Sequence, residues 1–255
     1  MSMVAVSEQH TVREVVECLT RLGASVATDT AVNVMREVTG FAHQRCARSG
    51  CIAWLRRPLP CEASIVVVGG RIAPQVEACD ANVLAVHDDP RTLLARLIRE
   101  LFSWTARRCA RVDLFGSDTS VHPTAELGVG GMNYVGDDPF PSLGGVEVRG
   151  GARIDAFATV ARGTVTTTSI GAGARIGAHV NIGHDCQLGA GTMVVTHASL
   201  AGWVDVGAGA RIYQGALVKN GVRIGERATV GMGAVVLRDV PPGETWAGNP
   251  ARRIG

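Results

Sequence analysis

The sequence predicts a β-solenoid, a parallel β-helix, with a small α/β domain at its N-terminal side. Three observations carry that expectation. From residue 170 onward every sixth position is aliphatic: Ile170, Ile176, Ile182, Leu188, Val194, Leu200, Val206, Ile212, Val218, Ile224, Val230 and Val236. Were about one residue in four Ile, Leu or Val, chance would give such a run on the order of once in ten million trials, so the period belongs to the fold. Gly usually follows the aliphatic residue, as at Gly171, Gly177, Gly183, Gly189, Gly207, Gly225 and Gly231, and the position four after it is small or β-branched, as at Ala174, Val180, Cys186 and Thr192. The first 110 residues carry no such repeat.

A hexapeptide with one large and one small inward residue and Gly at the bend forms one side of a prism. Three hexapeptides close an eighteen-residue coil, so residues eighteen apart stack about 4.8 Å apart, the spacing of neighbouring strands. Val148, Ile154 and Val160 keep step with one another but fall out of phase with the later run. The ten-residue step from Val160 to Ile170, across "ARGTVTTTSI", breaks the register and is expected as a protruding turn. The continuous run makes about four coils, and the earlier repeats add one or two more.

The preceding domain reads differently. In "TVREVVECLTRLG" the residues Val12, Val15, Val16, Leu19 and Leu22 share a helical face, with Thr11 and Glu14 as a capping box and Gly23 as the stop. Strands are expected at "AVNVM", "CIAWL", "SIVVVGG" and "NVLAV". A second helix starts in "DDPRTLLARLIRELFSW", with an Asp cap, Pro90 in its first turn and a stripe of Leu93, Leu94, Leu97, Ile98, Leu101 and Phe102. The Gly pair in "VVVGGRI" is too short for a dinucleotide fingerprint and reads as a turn after a strand. The boundaries drawn are an α/β domain over 1–110, a connecting segment over 111–142, the β-helix over 143–240 and a tail over 241–255.

Composition fits a glycine-cornered, aliphatic solenoid: 255 residues include 32 Gly and 4% aromatics. A formal net charge of +2, with no basic run, gives no nucleic-acid footprint. Seven Cys without paired metal spacing point to reduced thiols in a cytoplasmic protein. The opening "MSMVAVSEQHTVREVV" has no continuous apolar core, so neither a secretion signal nor a membrane span is expected.

Two stretches carry a family resemblance. "VTGFAHQRCARSGCIAWLRRPLP", "EASIVVV", "NVLAVHDDPRTLLARL" and "VHPTA" resemble the uridine-binding N-terminal domain of the UDP-3-O-acylglucosamine N-acyltransferases of lipid A synthesis. "PSLGGVEVRGGARIDAFATVARGTVTTTSIGAGARIGAHVNIGHDCQLG" is similar to the left-handed β-helix of that family, ten-residue step included. After "VHPTAELG" several coils of the family are missing, and "LRDVPPGETWAGNPARRIG" takes the place of its C-terminal helices. That ending resembles the hexapeptide acetyltransferases that use acetyl-CoA on nucleotide-linked amino sugars. The resemblance implies a homotrimeric N-acyltransferase that moves an acetyl group from acetyl-CoA to the amine of a nucleotide-linked amino sugar, with no metal. The alternative it leaves is acyl carrier protein-dependent acylation of a UDP-glucosamine derivative.

Acylating an amine needs a base, and His is the side chain whose unperturbed pKa lies nearest physiological pH. His184 stands two residues past Ile182, at an outward step of the repeat, and both resembled families place their catalytic His in the matching "IxHDC" or "IxHN" position. Asp185 is suited to orient the imidazole, whereas Cys186 falls on the small inward position and reads as core. By resemblance, the backbone amide of Gly202 meets the thioester oxygen and Gly231, Gly233 and Ala234 line the pantetheine groove, while Arg238, Arg252 and Arg253 meet CoA phosphates. On the acceptor side Trp54 matches an aromatic that stacks on uracil, Arg57 stands where an amide is common, and Pro60 replaces a second aromatic. His179 and His197 lie one coil apart, expected to stack on one face near His184, with Asn181 among the polar side chains around the acceptor. Three histidines also raise a rival: γ-class carbonic anhydrases share the fold and bind zinc through three imidazoles at subunit interfaces. A non-catalytic assembly scaffold is the remaining alternative.

Overall fold

The computed structural model describes residues 4–28, 37–42, 51–55, 65–68, 83–101, 112–130, 134–135 and 138–254. The chain divides into two units, Met1–Arg108 with Met132–Leu143 and Cys109–Gly131 with Gly144–Gly255.

The first unit runs β1 (Val4–Thr11), α1 (Val12–Arg21), β2 (Ser25–Thr28), β3 (Glu37–Ala42), β4 (Cys51–Leu55), β5 (Ile65–Val68), β6 (Val83–Val86) and α2 (Pro90–Leu101). Its sheet has the order β1-β3-β4-β5-β6-β2. The four central strands are parallel, and β1 and β2 close the two edges antiparallel. The apolar stripe of α1 buries Val12, Val15 and Leu19, and that of α2 buries Leu93, Leu94, Leu97 and Ile98. Thr11 and Glu14 form the reciprocal capping box, and Gly23 takes φ 93° just past the helix end. At α2, Asp89 accepts the Thr92 N–H at 3.1 Å, which caps the helix ahead of Pro90. The expected strands at "CIAWL", "SIVVVGG" and "NVLAV" are β4, β5 and β6, whereas "AVNVM" lies outside the described residues. Strands β1, β2 and β3 escaped the sequence reading: β1 and β2 are edge strands, which tolerate polar residues and show no clean apolar period, and the short run of β3 is interrupted by Gly40.

The second unit is the solenoid. Its first turn is β7 (Val112–Leu114), β8 (Ser120–Val121) and β9 (Glu126–Val129). After a short hairpin of β10 (Tyr134–Val135) and β11 (Asp138–Pro139), which belongs to the first unit, the second turn is β12 (Val146–Val148), β13 (Arg153–Ile154) and β14 (Thr159–Ala161). The third is β15 (Thr168–Ile170), β16 (Arg175–Ile176) and β17 (Asn181–Ile182), and the fourth β18 (Gln187–Leu188), β19 (Met193–Val194) and β20 (Ser199–Leu200). The fifth is β21 (Asp205–Val206), β22 (Arg211–Ile212) and β23 (Leu217–Val218), and the sixth β24 (Arg223–Ile224), β25 (Thr229–Val230) and β26 (Val235–Val236). Strands β27 (Thr245–Ala247) and β28 (Arg252–Arg253) follow.

Every turn adds one strand to each of three parallel sheets. Face one contains β7, β12, β15, β18, β21 and β24; face two contains β8, β13, β16, β19, β22, β25, β27 and β28; face three contains β9, β14, β17, β20, β23 and β26. The eighteen-residue step appears directly in the register, where Arg175 pairs with Met193 and Met193 with Arg211. The large inward residues, Ile170, Ile176, Ile182, Leu200, Ile212 and Ile224 among them, and the small ones, Ala174, Ala198, Ala210 and Ala216, make one continuous buried core.

Three sequence expectations are corrected. Residues 112–129, expected within a connecting segment, form the first turn, since β7, β8 and β9 pair in parallel with β12, β13 and β14. Their period was hidden because Val112 pairs with Val146 across the intervening hairpin, so the step is far longer than eighteen. Part of the expected tail over 241–255 likewise continues the solenoid, with β27 parallel to β25 and β28 folded back antiparallel on β27. Finally, the segment after Val160 does not protrude: Ala161, Thr164, Val165, Thr166 and Thr168 are all buried. It adds four residues to one coil, so that Arg153 pairs with Arg175 instead of a residue eighteen away.

Candidate active site

The solenoid turns its corners on four-residue turns, closed by bonds such as Ala198 N–H to Val195 C=O at 3.1 Å, whose third residue has positive φ. That conformation favours Gly, and Gly173, Gly191 and Gly209 supply it at the corner from face one to face two. Larger residues hold the same strained conformation at Asp185 (φ 59°) and Trp203 (φ 62°) between faces three and one, at Phe157 (φ 59°), His179 (φ 58°) and His197 (φ 61°) between faces two and three, and at Arg227 (φ 54°) between faces one and two. A side chain kept at a left-handed position costs on the order of 1–3 kcal/mol, and such residues concentrate at functional sites.

At the first of these corners His184 Nδ1 lies 2.7 Å from Asp185 Oδ2. Asp185 is fully buried, yet its carboxylate is saturated with donors. Oδ1 accepts the Thr164 N–H at 3.0 Å, the Thr166 N–H at 2.9 Å and the Thr166 hydroxyl at 2.8 Å. Oδ2 accepts the Thr164 N–H at 3.0 Å and its hydroxyl at 2.5 Å besides the imidazole. The Asp185 N–H in turn donates to Thr168 Oγ1 at 2.9 Å. Burial pushes the Asp185 carboxyl toward protonation, but the hydrogen bond and charge of His184, followed by the Thr164 donors, more than offset it and hold its pKa below the ordinary carboxylate range.

An ionised carboxylate only accepts, so His184 Nδ1 carries a proton toward Asp185, and Nε2 is the ring nitrogen left to face a substrate. The ring lies across Gly202, one coil on. A Cβ built at Gly202 would fall into the imidazole, since its three nearest heavy atoms are His184 Nε2, Cε1 and Cδ2. Trp203 donates its backbone N–H to the His184 carbonyl at 2.8 Å and meets the imidazole edge-on, with centroids 6.3 Å apart. The Gly202 N–H has no acceptor among the described residues. Cys186 is core as expected: it is fully buried, donates to the Ala201 carbonyl at 3.2 Å, and burial pushes its thiol up to about 12.

His179 and His197 stack with centroids 4.9 Å apart and planes 10° apart, and Phe157 extends the column at 5.0 Å from His179. That the two stack one coil apart is as the sequence reading has it; they stand at the corner between faces two and three, whereas His184 stands at the corner between faces three and one. Asn181 stands exposed on that face and donates to Ser199 Oγ at 3.2 Å. Among the described residues no three His, Cys, Asp or Glu side chains converge as a metal-binding group.

The remaining expected site residues are spread along the molecule. Arg238 is exposed on the same corner as His184 and Gly202, two coils beyond Gly202. Gly231 packs against Ala247, Gly233 (φ 66°) faces open space, and Ala234 has its side chain in the core. Arg252 is exposed on β28 with Nη1 on the Ala251 carbonyl at 2.9 Å, and Arg253 lies 3.5 Å from Glu244. Trp54 sits in β4 of the first unit, paired with Val67, and Arg57 lies outside the described residues. Sequence reasoning missed Thr164, Thr166 and Thr168; their alternation, T-x-T-x-T, was the available signal that one side of the segment faces a common partner.

No family model matches the chain. The UDP-3-O-acylglucosamine N-acyltransferase of Bradyrhizobium diazoefficiens is 33% identical over 86 residues, 32% of this chain, which spans only 23% of that relative's length. The UDP-N-acetylglucosamine O-acyltransferase of Moraxella catarrhalis superposes over 56% of both chains with a TM-score of 0.51 and 26% identity. The UDP-N-acetylglucosamine acyltransferase of Bacteroides fragilis superposes over 85% of this chain and 72% of its own, with a TM-score of 0.51 and 16% identity. The solenoid therefore has the left-handed β-helix fold of these acyltransferases. Among the described residues no helix is long and apolar enough to cross a membrane.

Proposed function

We propose that the protein is an N-acyltransferase that moves an acetyl group from acetyl-CoA to the amine of a nucleotide-linked amino sugar in the cytoplasm. The observation that carries this reading is the His184–Asp185 pair, with Nδ1 held at 2.7 Å by a buried carboxylate and Nε2 left as the proton acceptor. The acceptor nitrogen attacks the thioester carbon while Nε2 takes its proton, and Asp185 stabilises the resulting imidazolium. The thioester oxygen gains negative charge and meets the Gly202 N–H. When the carbon–sulfur bond breaks, the imidazolium returns its proton to the CoA thiolate. General-base assistance of this kind contributes about a hundredfold to ten-thousandfold.

The donor reading is supported by the corner itself. Arg238 stands three coil steps from His184, roughly 14 Å at the usual strand spacing, so an extended pantetheine arm beginning at Gly202 reaches a guanidinium for a CoA phosphate. Gly231, Gly233 and the backbone of Ala234 are assigned to the groove wall and Arg252 to the nucleotide end of CoA. The acceptor sugar is assigned to Asn181, His179 and His197, and its nucleobase to Trp54 and Arg57. An exposed column of Phe157, His179 and His197 is a surface that a closed trimer would cover. The 86-residue match to a lipid A acyltransferase favours one second reading, with acyl carrier protein as donor.

The test offers UDP-, dTDP- and GDP-linked amino sugars with acetyl-CoA and, separately, with long-chain acyl carrier protein, and follows free thiol release by wild type and His184→Asn. Turnover with one acceptor class, lost about a hundredfold or more in the variant while CoA binding persists, is the expected result. Thiol release that is equal in the two proteins removes His184 as the base, and none with either donor removes the function.

A further inference from the structure

The four extra residues between β14 and β15 have no role in the repeat, because the coils that follow close in eighteen residues without them. What they build is specific. Thr164, Thr166 and Thr168 lie along a segment that bends at 164–166 and converge on Asp185, giving its carboxylate and N–H their partners, while Val165 is buried and the Thr167 carbonyl accepts Gln187 Nε2 at 2.7 Å. Two glycines let the segment close. A Cβ at Gly144 or at Gly163 would collide with the Thr166 carbonyl, and the Gly144 N–H donates to the Gly163 carbonyl at 3.0 Å. Gly145 fixes both ends of the loop, its carbonyl accepting the Gly163 and Thr168 N–H groups at 3.1 Å each.

We infer that the 163–168 loop is a clasp that sets the tautomer of His184, with Thr164 and Thr166 as positioning residues acting through Asp185. The inference rests on the reading of His184 as the base. Five donor contacts from two threonines fix the plane of the carboxylate and stabilise its charge in a site without solvent. With that plane fixed, Oδ2 faces Nδ1, the ring proton stays on Nδ1, and Nε2 remains free to accept. Without the two hydroxyls the carboxylate has only the backbone N–H groups and can rotate or take up a proton. A protonated Asp185 would present a donor to Nδ1, which drives the ring to the Nε2–H tautomer and removes its base.

The experiment compares wild type with Thr164→Val/Thr166→Val, which keeps shape and removes both hydroxyls, and Thr164→Ser/Thr166→Ser, which restores them. The ¹⁵N shifts of the His184 ring, identified by their absence in His184→Asn, report the tautomer whether or not acyl transfer occurs. Wild type is expected wholly as Nδ1–H, the valine variant as a mixture and the serine variant as wild type. In the same series kcat should fall ten- to hundredfold in the valine variant, with both KM values within twofold, and recover to within threefold of wild type with serine. Should the double valine variant fail to fold, Thr166→Val alone carries the comparison. An unchanged tautomer in the valine variant overturns the inference, as does a normal kcat beside an altered tautomer. A tautomer that responds as described in a protein inert toward every donor leaves the clasp standing and removes the acyl-transfer reading.

Discussion

Gly202 and His184 occupy equivalent positions on successive coils, and the imidazole of one fills the space where the other would carry a side chain. Gly202 has no positive φ to defend, so its lack of a Cβ is explained by the ring alone. The same residue thus gives the imidazole its bed and a backbone N–H beside it.

Gly202→Ala is therefore expected to destabilise the protein by about 1–3 kcal/mol through overpacking, and to displace the imidazole. In a His184→Ala background the penalty should disappear, because the three nearest atoms to the new Cβ are gone. Urea unfolding of the four proteins in the cycle measures the coupling. Additive effects would mean that the glycine serves the coil and not the ring.

Cys186 sits beside the His184–Asp185 pair in sequence and opposite to it in character. With its thiol pushed up to about 12 and buried in the core, it is expected to resist alkylation at pH 8 in the folded protein and to react on unfolding, as read by intact mass. Cys186→Ala should keep wild-type turnover to within a few-fold. Rapid labelling of Cys186 in the native protein, with loss of activity, would contradict this.

The solenoid was legible because each prism side repeats the same demand for one aliphatic and one small residue, and His184 with Asp185 stood out as titratable groups at a corner of that repeat. The Thr164–Thr168 clasp was not legible, since its partner lies about twenty residues on and its meaning depends on a buried carboxylate that no local pattern announces. That His179 and His197 stand at a different corner from His184 follows from the period itself, since His179 and Asp185, six residues apart, hold the same position in successive turns. In the first unit, central β4, β5 and β6 were visible as apolar runs, whereas edge strands β1 and β2 and the glycine-interrupted β3 were not.

Trp54 lies on β4, in the middle of the parallel strands of the first unit. If it stacks on the nucleobase, Trp54→Ala should raise the KM of the acceptor by an amount equal to roughly 1–3 kcal/mol and leave that of acetyl-CoA unchanged. Steady-state kinetics with each substrate varied in turn decides it. Unchanged KM values beside a collapsed Tm would make Trp54 a structural residue.

Asp185→Asn tests the charge at the centre of the site. All the contacts of the carboxylate come from donors, so an amide placed there must set its own NH₂ against the Thr164 or Thr166 N–H or the imidazole. A loss of about 1–3 kcal/mol is expected near neutral pH, together with a fall in kcat smaller than that of His184→Asn, because the base is disturbed and not removed. The folded-state pKa is depressed below the ordinary 3.8, so the stability that ionised Asp185 contributes is fully present above that value and is lost as pH falls through and below it. The gap between wild type and variant should consequently hold from pH 6 to pH 5 and narrow below about pH 4, as measured by urea unfolding across that range. A gap that persisted undiminished to pH 3 would show that the clasp holds the shape of the side chain and not its charge.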